Sequence, residues 1–346
     1  MRGKVKVKEP PMSFSLESNE IKLSKDDSPL EYIKLLGITS TDRTELYCSN
    51  KNYTYLLELT NNLDFIATGI LGGELDKMLL VSEEKNTEEK CQFFVKDEII
   101  YLVYGKFPDK KGKWLLEQMS NNYSELVRGK DVNNLPKFEK YQIELEFKKR
   151  TNFILMEYLK LQEFFSDKVI PYVEDSIRID YLGLSSMSIG VISLLIGEEL
   201  NVELQMEVDS PEEEKEMKES MLTARIEAIA ANTQGNTGAV PRWIAVKLGF
   251  QKYRFLTFRK YVNDYYLSLL SEGNLGNIDI IEEELINPEV ENVVKTPFSG
   301  NLKPFNELKL RLKDLFSRRR KFPPFNFTND LEEGEVEEED NNKENE

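Results

Sequence analysis

The side chains that most often carry chemistry near neutral pH are scarce in this chain. Its 346 residues include no histidine and only two cysteines, Cys48 and Cys91. Without histidine, Ser-His-Asp and Cys-His triads, the HExxH helix and imidazole metal sites are excluded. The cysteines are far apart and form no CxxC, which excludes a cysteine zinc site or a disulfide framework and predicts two buried thiols. Aspartates and glutamates number 62, yet no pair stands in an apolar run that would raise a carboxyl toward acid–base work. Glu212-Glu213-Glu214 and Glu282-Glu283-Glu284 read instead as solvated helix faces. Two glycine-rich stretches, "GILGGELD" (69–76) and "NTQGNTGAVPR" (232–242), lack the GxxxxGK[ST] order of a phosphate loop and read as a turn and a helix exit. No catalytic, cofactor-binding or metal-ligating residue is assigned, no cofactor is expected, and the chain does not read as an enzyme.

Surfaces are more informative than reactive groups. In "SPEEEKEMKESMLTARIEAIAANTQ" (210–234), Ser210 is placed to cap a helix, Pro211 suits its first position, and the glutamates that follow favour the positive end of the helix dipole. Further along, Leu222, Ile226 and Ile229 form one stripe, while Met217, Met221, Ala224, Ala228 and Ala231 form another. At about 100° per residue the two stripes lie roughly 150° apart. The large-residue stripe can cover the helix's own sheet. The second is either covered by a helix expected at 147–170 or left to a partner helix that its small side chains allow to approach closely; the partner reading is preferred, with these five residues as the protein interface.

A second candidate surface is "LKPFNELKLRLKDLFSRRRKFPPF" (302–325). Leu308, Leu312, Leu315 and Phe316 make an apolar stripe beside the basic cluster Arg318, Arg319, Arg320 and Lys321. Such a segment can lie on an anionic membrane surface, dock in a partner's groove, or pack on its own domain. The net charge of −16 argues against general nucleic-acid binding, which needs a broad basic face. Part of that charge lies in the tail 328–346, "GEVEEEDNNKENE" at its end, whose composition predicts disorder. No uninterrupted apolar run reaches the roughly 20 residues of a membrane span, and the basic start lacks the apolar core of a secretory signal. A cytoplasmic location is expected, with peripheral membrane contact open to the basic segment.

The elements that must position these faces follow from hydrophobic period. After a flexible leader (1–29), strands are expected at 31–40 and across 46–59, then a short helix at 63–71 capped by Asn61 or Asn62. Strands follow at 75–83 and in "CQFFVKDEIIYLVYG", a hairpin turning at 96–98, and then a helix at 114–127. A polar linker (129–146) separates this from the long helix at 147–170. Strands at 176–184 and 188–197, the helix of 210–234, three strands between 242 and 273, and a helix at 274–294 interrupted at Pro288 complete the ordered chain.

The order strand-strand-helix-strand-strand-strand-helix thus occurs twice. On this order and spacing, residues 30–128 resemble a longin domain, and 147–296 resemble a Roadblock/LC7 domain, which adds an N-terminal helix; archaeal genomes hold many divergent examples of both. The fold class expected is α/β of the α+β kind: two domains, each a mainly antiparallel five-stranded sheet packed with helices, followed by the basic amphipathic segment (297–327). The resemblance implies a non-catalytic scaffold that dimerises or binds partners through sheet edges and helix faces. It also implies regulation or recruitment of a small Ras-like GTPase, with another Roadblock or longin protein, or a second copy, as a further partner. The alternative is a ligand-sensing α/β module that holds a small molecule in an enclosed apolar pocket over its sheet.

Overall fold

A computed structural model describes residues 21–23, 31–82, 87–160, 177–186, 190–196, 210–237, 239–249, 252–318 and 321–322. The leader, apart from 21–23, lies outside the described residues. So do the acidic tail, the distal half of the helix expected at 147–170, and Arg319 and Arg320. The fold is mixed α+β, and every described strand pairing is antiparallel. The chain divides into two compact units, one formed by 1–57 and 89–167 and the other by 58–88 and 168–346.

In the first unit, β2 (Glu31–Ser40) pairs with β6 (Ile99–Lys106) on one edge. Its other edge carries β1 (Ile21–Leu23) and β3 (Glu45–Cys48). β5 (Thr87–Lys96) joins β6 through a two-residue turn, Asp97-Glu98. Both turn residues have positive φ, 52° and 61°, the left-handed pair that matches strand twist in the tightest hairpins. α2 (Asp109–Leu126) and α3 (Lys137–Lys160) cover the sheet. Their core runs through edge-to-face aromatic contacts, Tyr47 on Phe147 and Phe147 on Tyr123, at 4.8 and 5.2 Å between ring centres. Cys48 and Cys91 are both buried free thiols.

In the second unit the pairing order is β4 (Glu74–Ser82), β9 (Val240–Gly249), β10 (Lys252–Lys260), β11 (Tyr266–Glu272), β7 (Ile177–Ser186). The outer edge of β7 carries β8 (Gly190–Ile196) and β12 (Lys321–Phe322). α4 (Pro211–Thr237) lies on one face of this sheet. The other face holds α5 (Leu275–Ile281), a π-helical turn at Glu282–Ile286, α6 (Asn287–Val294) and α7 (Lys303–Arg318). Strand alternation shows the two sides directly. Leu267 and Leu269 join the core beneath α5–α7, while Ser268 between them hydrogen-bonds Glu227 of α4.

Several expectations are corrected. Residues 53–59, read as strand, instead end a 3-10 turn (Lys51–Tyr53) and begin the helix α1 (Tyr55–Gly69). The β-prone Tyr and Thr residues mislead, whereas buried Leu56, Leu59, Leu63, Ile66, Ala67 and Ile70 follow helical spacing. α3 starts at Lys137, inside the segment read as a linker, because Ile143, Phe147, Ile154, Leu155 and Tyr158 present one face to the first unit's core. It therefore packs with the preceding elements. α1 beyond Leu57 and β4 join the second unit, where β4 pairs with β9 from Glu74–Lys247 to Val81–Val240. The helix expected at 274–294 is interrupted at Pro288 as read: α5 gives way to the π-helical turn, and α6 starts at Asn287 with the proline in its first turn.

Candidate functional site

α4 begins as its sequence dictates. The Ser210 hydroxyl accepts from the Glu213 amide at 3.2 Å, and the carbonyl of Ser210 accepts from Glu214. The helix then continues past the expected glycine-rich exit to Thr237. Leu222, Ile226 and Ile229 are buried, at 3% exposure or less. On the opposite side Ala224, Ala228 and Ala231 are exposed, and Met217 and Met221 are half-buried above them. All five expected interface residues thus share one outward face. The distal part of the long preceding helix, the alternative cover for that face, lies outside the described residues.

What holds α4 in this orientation is a buried carboxylate that the sequence did not single out. Glu227 accepts hydrogen bonds from Ser185 Oγ (2.6 Å) on β7 and Ser268 Oγ (2.7 Å) on β11. Burial pushes its carboxyl above the ordinary value, and the two hydroxyls only partly oppose this. The face also extends sideways onto α1. Phe65, 51% exposed, lies under the Arg225 guanidinium at 5.4 Å, a cation–π contact at the rim of an otherwise small-residue surface.

Of the three placements open to the basic segment, its apolar stripe takes packing on its own domain. Leu308, Leu312 and Phe316 are fully buried in the second unit's core, and Leu315 packs against it. Their apolar stripe is used within the fold and offers no surface to a bilayer. Arg311 pairs with Glu289 at 2.7 Å, tying α7 to α6. Of the basic cluster, Arg318 ends α7 and Lys321 pairs through its backbone with Arg178, while the two arginines between are outside the described residues.

Several buried carboxylates are satisfied internally. In the first unit Glu89 receives Lys34 Nζ (2.6 Å) and the Tyr32 hydroxyl (2.6 Å) on one oxygen and the Tyr104 hydroxyl on the other. Burial pushes this carboxyl up, but the ammonium and the two hydroxyls outweigh it and hold it below its usual value. A carboxylate with both oxygens so engaged is a poor general base. In the second unit Asp180 is the extra residue of a β-bulge, between Tyr181 opposite Leu270 and Ile179 opposite Ser271. Arg178 and Arg254 bracket it at 2.7 and 3.6 Å and both also reach Glu272. Glu282, read as solvated, is buried at 6% exposure against Arg259.

Among the described residues no group of three or more cysteines, aspartates or glutamates is arranged to hold a metal ion. A groove of about 430 Å³ opens between α6, the loop 295–302 and α7, lined in part by Phe298, Phe305, Pro304 and Arg311. It lies among helices, not over the sheet. No helix among the described residues is long and apolar enough to cross a membrane. Neither the protein-family models nor the curated proteins compared with the chain match it.

Proposed function

We propose that the protein is a non-catalytic scaffold that docks a partner on the outer face of α4. The observation that carries this reading is the division of labour on one helix. Leu222, Ile226 and Ile229 with Glu227 anchor it to its sheet, and Ala224, Ala228 and Ala231 stand exposed on the far side. A long helix with a short-side-chain outer face lets a second backbone come close, and the flanking Met217, Met221 and Phe65 supply adaptable apolar contact.

The element order strand-strand-helix-strand-strand-strand-helix, which occurs twice along the chain, supports reading it as a tandem of longin-like and Roadblock-like five-stranded domains. The partner proposed on that reading is a small Ras-like GTPase, which would bind and hydrolyse the nucleotide while this chain supplies surface. The test is recovery of partners on the immobilised full chain in the presence of GTP and GDP analogues. A Ras-like GTPase retained in one nucleotide state, and lost with Ala228→Glu, is the expected result; a small metabolite copurifying with the chain in place of any protein would contradict it.

A further inference from the structure

α3 carries a second apolar face that the fold does not use. Ile143, Phe147, Ile154 and Tyr158 point into the first unit's core, yet Phe138, Tyr141, Leu145, Phe153 and Met156 are exposed at 72, 62, 46, 64 and 45%. At about 100° per residue these five fall within a stripe roughly 120° wide, centred opposite the buried side. Half the large apolar side chains exposed beyond 40% among the described residues are on this one helix.

The stripe is symmetric along the helix. With Lys149 included, its positions are 138, 141, 145, 149, 153 and 156, spaced 3, 4, 4, 4 and 3. The sequence of spacings reads the same in both directions about residue 147. Two copies of α3 laid antiparallel across a two-fold axis at that point bring Phe138 level with Met156 of the other copy, and Tyr141 level with Phe153. Leu145 then meets Lys149. The single charge in the stripe is accommodated by the same symmetry. Lys149 pairs with Glu146 at 3.1 Å within one helix, and across the axis each lysine also reaches the other copy's glutamate, twice per dimer, as an isologous interface requires.

The area is adequate. Aromatic side chains of roughly 150–250 Å² each, exposed to the extent given above, put about 600 Å² on each helix, the upper end of the largest patch on a typical monomer and of a size that is often functional. Two copies would remove on the order of 1,200 Å², the lower end of the range for stable specific interfaces. We infer that the protein forms a two-fold dimer through antiparallel pairing of α3, separate from the partner face on α4.

The test uses the full chain in sedimentation equilibrium. The parent is expected as a dimer of the 40.3 kDa chain. Phe153→Glu, which places a charge against the facing apolar stripe, should raise the dimer dissociation constant by at least about 30-fold, the effect of losing one interface anchor; diluted until both chains are monomeric, the two should unfold at the same temperature because the residue is outside the core. Ala228→Glu should leave the dimer intact. For register, Leu145→Cys chains mixed with Lys149→Cys chains should form an intermolecular disulfide, while either variant alone should not. A parent that stays monomeric at tens of micromolar overturns the inference, whether or not it binds anionic vesicles. So does a dimer that persists in Phe153→Glu.

Discussion

Glu227 is a carboxylate held against a sheet by two serine hydroxyls, those of Ser185 and Ser268. Burial raises its pKa above the ordinary 4.5. Its contribution to stability is therefore full in acid and falls as pH rises from 4.5 through the raised folded value. Glu227→Gln keeps the hydrogen bonds and removes the charge. Denaturant unfolding should find this variant equal to the parent near pH 4 and more stable near pH 8; a difference that does not change with pH would refute the assignment. Glu227→Ala instead leaves the hydroxyls unpaired and should cost about 1–3 kcal/mol. Glu89 has the opposite sign. Its folded pKa is lowered, so its contribution is present above the ordinary value and lost as pH falls through the lowered one. Lys34→Ala strips the cation from a pair only 12 and 11% exposed and should cost about 3–5 kcal/mol at neutral pH. The loss should shrink in acid, where Glu89 becomes neutral.

At the scale of elements, α7 separates two meanings of an amphipathic pattern. The same stripe that could enter a membrane is the stripe that closes a core, and sequence does not distinguish them. Leu312→Ala removes a fully buried side chain and should destabilise by about 2–5 kcal/mol. Leu310→Ala, 67% exposed on the same helix, should change stability by less than about 0.5 kcal/mol. Urea unfolding of both variants measures the contrast. The hairpin at Asp97-Glu98, the cap at Ser210 and the inner stripe of α4 were legible because each is a local pattern. α3 was harder to read. Its two opposed apolar faces cancel as a periodic signal, so it was assigned to its downstream neighbour, with a linker in place of its first turns. Glu282 was misread because the partner that makes its burial tolerable, Arg259, is on a strand 23 residues away.

For the whole molecule, the twofold element order was visible in the sequence, but the partition of the chain into units was not. β4 joins the second unit through its ladder with β9, and such long-range pairing leaves no trace in local periodicity. Among the described residues two outward helix faces of different character stand exposed. The α4 face is narrow and made of small residues; the α3 face is broad, aromatic and symmetric. On the proposals above they take different occupants, a dissimilar partner helix on α4 and a second copy on α3. The most direct test of the scaffold reading is quantitative binding of Ras-like GTPases to the parent chain and to Ala228→Glu, with GTP and GDP analogues in parallel. The account predicts nucleotide-dependent binding by the parent, weakened at least about 30-fold in the variant while its unfolding midpoint is unchanged. Equal binding by both chains, or none by the parent in either nucleotide state, would contradict it.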